Sequence, residues 1–199
     1  MADMEKTGKN LEGRGFRVHR FASGAEAADY LVQTLHGTSI GIGGSVTIDT
    51  LGVYDRLCES NEVFWHWKNH APETRERAGK AETYLCSANG VSENGEIVNI
   101  DGFGNRVAGT IYGPERVFLF VGRNKIAPDL TGAIDRARNI AAPLNARRLN
   151  RHTPCAVGEP RCHDCRSPEK VCGVMTVFFM PPTSIKEFHV ILVDEDLGY

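Results

Sequence analysis

Short apolar segments that alternate with segments of helical periodicity restrict the fold of this chain more than any other feature. Residues 116–122 read RVFLFVG, and residues 174–180 and 188–193 are similarly apolar. Near-continuous apolar runs of this length are typical of strands whose two faces are both buried, as in parallel sheets. Their alternation with helices predicts an α/β fold with a mainly parallel sheet that helices cover on both faces.

Capping and turn residues mark the boundaries of several elements. Ser23 and Glu26 have the spacing of a capping box and predict the first clear helix. The dipeptide Asn94-Gly95 predicts a hairpin, because both residues tolerate positive φ. The sequence further predicts strands at 38–43, 63–66 and 83–87, and helices that begin near residues 46, 72, 105, 129 and 143.

Length and charge limit the class of protein. A chain of 199 residues with a net charge of −2 and a pI near 6.4 predicts a single domain, residues 1–199, with no overall attraction to nucleic acid. The apolar runs are too short to cross a bilayer, and the charged N-terminus lacks the apolar core of a secretory signal. We therefore expect a cytoplasmic protein with no nucleic-acid partner and no membrane insertion.

A glycine-rich turn between a predicted strand and a predicted helix is the first candidate site. Ligands of parallel α/β sheets collect at the carboxyl ends of strands, and glycines let the backbone approach an anion closely. Gly43 and Gly44 would supply this approach, and Ser45 and Thr47 would add hydroxyl donors. The alternative is a tight turn without a ligand.

Two further loops carry polar residues toward the same predicted edge. The segment around Asn99, Asp101, Gly102, Asn105 and Arg106 predicts a substrate clamp or an acid–base site. The alternative is a turn in which Asp101 and Asn105 bond their own backbone while Arg106 covers surface.

The second of these loops follows the most apolar strand. Gly122, Asn124 and Lys125 bring a flexible turn and positive charge to the predicted ligand edge. Arg136, Arg148 and Arg151 lie farther along the chain, and helical spacing places them on solvated faces.

Four of the six cysteines lie within eighteen residues. Cys155, Cys162, Cys165 and Cys172 are separated by six, two and six residues, within a cysteine-rich segment at 152–173. Four thiolates that converge on one point suit zinc or an iron-sulfur cluster, and spacing does not separate the two. A disulfide or a dithiol relay through the central pair is the alternative.

The other two cysteines stand apart from this segment. Cys58 and Cys86 are predicted to be small core residues.

Several long motifs resemble the lactate-utilisation (LUD) domain family, in its short stand-alone branch with a C-terminal cysteine motif. They are GIGGSVTIDTLGV, GEIVNIDGFGNRVA, VFLFVGRNKI, RNIAAPLNARRL, TPC and HVILVDEDLGY, and the resemblance runs from about residue 39 to residue 199. It implies a three-layer αβα sandwich similar to ribose-phosphate isomerases, glucosamine-phosphate deaminases and CoA transferases. It also implies a role in oxidising L-lactate to pyruvate together with partner proteins that carry iron-sulfur clusters.

Carried over residue by residue, the family pattern marks ligand-binding positions and no firm catalytic ones. These positions are Gly43, Gly44, Ser45, Asn99, Asp101, Gly102, Asn105, Arg106, Gly122, Asn124, Lys125 and Asn145.

The leading hypothesis is a subunit or accessory protein of L-lactate oxidation that binds a small anionic metabolite and a metal or iron-sulfur cluster. One alternative is a stand-alone enzyme that acts on a sugar phosphate or a CoA ester. Another is a zinc-stabilised binding scaffold without catalysis.

Overall fold

A computed structural model of the chain describes residues 3–199, so Met1 and Ala2, the first residues of the predicted domain 1–199, lie outside it. The helices are α1 (Met4–Gly13), α2 (Gly24–Thr34), α3 (Val46–Thr50), α4 (Tyr54–Cys58), α5 (Thr74–Lys80), α6 (Asn105–Ile111), α7 (Leu130–Arg136), α8 (Ala142–Arg148) and α9 (Pro154–Val157). The strands are β1 (Arg17–Phe21), β2 (Ser39–Ile42), β3 (Glu62–Trp65), β4 (Thr83–Ser87), β5 (Gly90–Ser92), β6 (Ile97–Asp101), β7 (Arg116–Gly122), β8 (Ile126–Ala127), β9 (Val174–Phe178) and β10 (Glu187–Val193).

The main sheet contains six parallel strands in the order β1-β10-β7-β4-β2-β3. Successive residues of β7 point to opposite faces: Leu119 packs with α1, and Phe120 packs with α2 and α4. Both residues are fully buried, which explains why the strand reads as a continuous apolar run. Burial of each such side chain contributes about 1.5–3 kcal/mol. The predicted α/β sandwich with a mainly parallel sheet is confirmed.

A second sheet of four strands, in the order β8-β5-β6-β9, covers one face of the first. The predicted hairpin joins β5 to β6, with Gly95 at φ +89°. The sequence did not separate the two closing apolar runs, yet β9 pairs with β6 in the second sheet and β10 lies inside the main one. Short apolar runs do not reveal their partners, because periodicity reports burial and not pairing.

A continuous helical segment packs on the far side of the second sheet. It consists of α7, a π-helical turn at Ala137–Ala141, and α8. Separate helices were expected here, because Pro143 looked like a helix start. Pro143 instead lies in the first turn of α8, directly after the π-helical turn, where a missing N–H is tolerated.

Residues 3–22 contain two elements that periodicity did not predict. Helix α1 begins after Asp3, whose side chain accepts a hydrogen bond from the Lys6 N–H, and it buries Leu11. Strand β1 follows and pairs with β10 at the edge of the main sheet. Within residues 3–199 no helix is both long enough and apolar enough to span a membrane.

Candidate functional site

A cavity of about 740 Å³ opens at the carboxyl ends of β2, β4 and β6, as expected for a parallel α/β sheet. Nine of the thirteen predicted ligand-binding residues line it. These nine are Gly44, Ser45, Thr47, Asp101, Gly102, Asn105, Arg106, Lys125 and Asn145.

The glycine-rich turn builds one wall of the cavity. Ser45 caps α3 by accepting a hydrogen bond from the Ile48 N–H, and its hydroxyl also lies 3.0 Å from the hydroxyl of Ser87. Gly43 does not line the cavity. A Cβ at this position would lie 2.9 Å from the Tyr84 hydroxyl. Gly43 therefore serves close packing.

The sequence left two roles open for this loop, a ligand site and a self-bonded turn. Asp101 has the turn role, and Arg106 lies at the cavity. The Asp101 carboxylate accepts hydrogen bonds from the backbone N–H groups of Arg106 and Val107, at 3.0 and 3.2 Å, and so holds the start of α6. The predicted alternative, a turn in which Asp101 bonds backbone groups of its own loop, therefore holds for Asp101. The same alternative placed Arg106 at the surface, which is wrong because Arg106 is only 9% exposed.

The buried Arg106 guanidinium donates only to neutral acceptors. It donates to the Ser87 carbonyl oxygen, the side-chain oxygens of Asn89 and Asn99, and the Ile100 carbonyl oxygen. Its positive charge is therefore uncompensated next to the cavity, a costly arrangement unless a ligand supplies the anion.

Lys125 is the most deeply buried cation at the cavity, with 1% of its surface exposed. Its Nζ donates to the Thr47 Oγ1 at 2.7 Å. Burial, followed by the charges of Arg136 and Arg106, holds the pKa of Lys125 well below its usual range. This environment favours the neutral amine over the ammonium ion.

Arg136 is buried, so the expectation of a solvated face is wrong for this residue. Its guanidinium donates to the backbone carbonyl oxygens of Asn124 and Asn89. Burial lowers the pKa of Arg136 to about 10, which still leaves it charged at neutral pH. Helical spacing missed this residue because the second sheet covers that face of α7.

Aromatic and cationic side chains that were not predicted to bind a ligand complete the lining. Arg148, which was expected on a solvated face, lies over the Trp67 ring at 4.6 Å and donates to the Tyr199 hydroxyl at 2.8 Å. Arg75 lies 5.1 Å from the centre of the exposed Phe103 ring. Spacing could not have brought these residues together, because they come from helices, loops and a final segment that lie far apart in the sequence.

The charge of the lining is strongly one-sided. Two side-chain carboxylates, those of Asp101 and Glu169, share the lining with six arginine and lysine side chains. The six are Arg75, Arg106, Lys125, Arg148, Arg151 and Lys170. Even without Lys125, whose burial favours the neutral amine, the cations outnumber the carboxylates. Such a cavity attracts an anionic ligand.

The four remaining predicted residues lie outside the lining. Asn124 holds residues 197–198 in place, because its amide donates to the Gly198 carbonyl oxygen and accepts from the Leu197 N–H. Gly122 packs against the same segment. Asn99 is fully buried beside Arg106, and its Nδ2 has no hydrogen-bond partner within residues 3–199. Gly43 is the fourth.

All four clustered cysteines line a second cavity, of about 360 Å³, between α8 and β9. The cavity also contains His163 and is otherwise largely apolar. Each thiol is half-buried, and burial raises the pKa of Cys172, as do the neighbouring thiols of Cys162, Cys165 and Cys155. The side chains of the predicted set therefore face one space.

The donor chemistry of this space suits a metal that prefers thiolates. The Cys162 sulfur accepts from Arg138 and from the Asp164 N–H, both at 3.4 Å. Across the part of the chain from residue 3 onward, no three Cys, His, Asp or Glu side chains lie close enough together to hold a metal ion. The segment brings the thiols to one cavity without closing them into a coordination set.

The two isolated cysteines behave differently from each other. Cys86 is fully buried, as predicted, and burial raises its pKa to about 12. Cys58 is exposed at the end of α4, so its assignment to the core is wrong.

Comparisons with known proteins identify relatives of the whole chain. A family model described as the LUD domain matches residues 4–193, so the match begins well before residue 39, where the motifs begin. No curated protein matches the sequence. The crystal structure of a DUF162 family protein from Deinococcus radiodurans at 1.70 Å resolution is similar, with a TM-score of 0.56 and 13% identity over 96% of this chain and 95% of that chain. At that identity the likeness shows a shared fold.

Proposed function

The chain belongs to the LUD-domain family, and on that premise we propose that it is a subunit or accessory protein in the oxidation of L-lactate, or a similar hydroxy acid, to pyruvate. The large cavity binds the small anionic metabolite. The observation that supports this most directly is the buried guanidinium of Arg106, which faces the cavity with only neutral acceptors around it.

The surrounding groups fit a carboxylate ligand. Arg106 is held in place by its neutral acceptors, so it supplies a fixed positive field. The exposed cations Arg75 and Arg151 have side chains free to turn toward a bound anion. The Trp67 and Phe103 rings add apolar surface to the lining.

The thiol cavity supports the second half of the proposal. Oxidation of lactate to pyruvate releases two electrons and two protons, so an acceptor is required. Cys155, Cys162, Cys165 and Cys172 would hold a zinc ion or an iron-sulfur cluster, and a cluster would supply one-electron transfer toward iron-sulfur partner proteins. Reduced thiols of this kind suit a cytoplasmic location.

Thermal-shift measurements test the ligand. L-lactate and pyruvate should raise the melting temperature in proportion to the logarithm of their excess over the dissociation constant. The double variant Arg75→Gln/Arg151→Gln should lose about a hundredfold or more in affinity, since charge-assisted hydrogen bonds contribute about 1.5–3 kcal/mol each. Arg56→Gln is the matched control, because Arg56 pairs with Asp29 away from the cavity.

Metal analysis after anaerobic purification tests the thiols. We expect bound iron with acid-labile sulfide, or bound zinc, and Cys162→Ser should lose the metal while the core stays folded. Cys58→Ser should keep it, because Cys58 is exposed and remote from the other four thiols. A deletion strain that grows normally on lactate would count against the whole assignment.

A stand-alone enzyme for a sugar phosphate or a CoA ester is the second candidate. The size of the cavity, about 740 Å³, favours it, because a three-carbon acid fills only a small part of that space. Stabilisation by phosphorylated sugars or CoA esters, without any effect of lactate or pyruvate, would select this function over the first.

A further inference from the structure

Lys125 has an unusual environment for a lysine. Its side chain is 1% exposed, lines the large cavity, and has a single hydrogen-bond partner within residues 3–199, the Thr47 hydroxyl. An ammonium group carries three donors and is normally surrounded by acceptors. One acceptor satisfies a neutral amine far better than a cation.

The charged neighbours of Lys125 also favour a neutral amine. The groups that act on it most strongly are Arg136 and Arg106, both buried and both positive. Both guanidinium groups hydrogen-bond only to neutral oxygens, so no bonded carboxylate reduces their electrostatic effect on the amine. Burial and these charges lower the pKa of Lys125, which favours the unprotonated amine with its free lone pair.

A short chain of hydrogen bonds fixes the position of the amine. The Thr47 hydroxyl donates to the Leu197 carbonyl oxygen at 3.2 Å and accepts from the Lys125 Nζ at 2.7 Å. One N–H of the amine is therefore directed at Thr47. The nitrogen lone pair is left for a group that enters the cavity.

We propose that Lys125 is a nucleophilic amine that condenses with the carbonyl group of a small oxo acid bound in the large cavity. The inference rests on the proposed function, because an anionic ligand must first occupy this cavity. The Nζ adds to the carbonyl carbon, and loss of the carbonyl oxygen as water, with both amine protons, leaves a C=N bond. No electrons are transferred, so the step needs no further reactant.

The cavity selects a carbonyl compound that also carries an acid group. The fixed charge of Arg106 and the mobile charges of Arg75 and Arg151 attract the carboxylate, while the neutral amine meets the carbonyl carbon. L-lactate has a hydroxyl group at that carbon and cannot condense. The site therefore distinguishes an oxo acid from the hydroxy acid by a covalent bond.

Reductive trapping tests the inference on the full-length protein. Sodium borohydride added in the presence of pyruvate should convert the imine to a stable amine, seen as one adduct by intact mass and mapped to Lys125 by peptide analysis. L-lactate and acetone should give no adduct, because one lacks the carbonyl and the other lacks the acid group. Lys125→Met should abolish the adduct and stay folded, since methionine packs readily in buried positions.

Lys80→Met is the control variant, because Lys80 is exposed and pairs with Glu76 on the surface; it should keep the full adduct. An adduct on Lys170, or one spread over exposed lysines, would overturn the inference. If pyruvate raises the melting temperature but no adduct forms, the proposed function stands and the covalent step falls. If pyruvate neither stabilises the protein nor labels it, both fall.

Discussion

At the scale of single residues, Lys125 is the most costly feature of the fold. Burying an amine without a counter-charge opposes folding, because the unfolded chain keeps the amine protonated and hydrated. The pKa of Lys125 lies well below its usual value of 10.5 in the fold. The unfolded state therefore binds one more proton than the fold, and stability rises with pH throughout the interval between the two pKa values.

Lys125→Met should consequently stabilise the protein by about 1–3 kcal/mol near neutral pH. It should also reduce the rise in stability with pH on the acid side of 10.5, the usual lysine pKa, because the buried amine that causes the rise is gone. Urea denaturation at several pH values measures both effects. An unchanged pH slope would mean that the amine is charged in the fold.

Gly102 provides the second prediction at this scale. A Cβ at this position would lie 2.8 Å from the Val171 Cα and 3.0 Å from its carbonyl carbon, so alanine must displace the cysteine-rich segment. Gly102→Ala should destabilise the protein by about 1–3 kcal/mol in denaturant titration. Gly79→Ala in α5 is the control, because nothing lies within 4 Å of its added Cβ, and it should be neutral or stabilising. Equal effects of the two substitutions would rule out the contact.

The sequence predicted the cavity-lining residues well where they belong to a strand end or a glycine-rich turn. Ser45, Thr47, Arg106 and Lys125 follow strands directly, and topology brings the ends of parallel strands together. It missed Trp67, Arg148 and Tyr199 as lining residues, because their convergence depends on how a loop, helix α8 and the last residues pack together over the sheet.

At the scale of elements, the pairing of β1 with β10 contains a pH-sensitive contact. His19 Nε2 lies 2.9 Å from His189 Nδ1, within reach of the Tyr30 hydroxyl, and His189 stacks on Phe118 and approaches Glu187. Burial is the main cause that lowers the pKa of both histidines below 6.5, with Arg17 acting in the same direction. The fold therefore favours neutral rings.

Acidification below about pH 6.5 should destabilise this pairing, because the unfolded chain takes up protons that the fold disfavours. We expect a loss of about 1 kcal/mol between about pH 7.5 and pH 5.5, a range above the titration of carboxylates. His189→Gln should reduce the loss, and His36→Gln, at an exposed position, should leave it unchanged. Equal pH dependence in all three proteins would place the titrating group elsewhere.

Element prediction succeeded where local signals were complete and failed where tertiary context decides. The cap at Ser23 and the turn at Gly95 were readable, because each is a short-range contact. Helix α1 and strand β1 were not, since each is mostly polar and is stabilised by the rest of the molecule. The second sheet was missed because pairing partners lie far apart in sequence.

At the scale of the whole molecule, the two cavities share a wall. Lys170 and Val171 line both, and Ile100 and Ala142 contribute to each from the other side. A change that orders the cysteine-rich segment must therefore alter one boundary of the ligand cavity. By thermodynamic linkage, binding at either cavity then changes the affinity of the other cavity by the same factor.

Zinc loading should therefore change the affinity for pyruvate by about fivefold or more, within the usual range of coupling energies. Calorimetry on zinc-loaded and chelator-treated protein measures this directly. Cys162→Ser should bind pyruvate equally well in the presence and absence of zinc. A wild-type affinity that does not respond to zinc would show that the wall is rigid in both states.

The position of β10 in the main sheet also determines when the fold can form. Among the described residues, strand β1 pairs only with β10, and β10 connects it to β7. During synthesis β1 therefore has no strand to pair with until residues 187–193 have left the ribosome. Such long-range pairing slows folding, so the main sheet is completed late and the edge of the nascent sheet depends on a strand made more than 160 residues after β1.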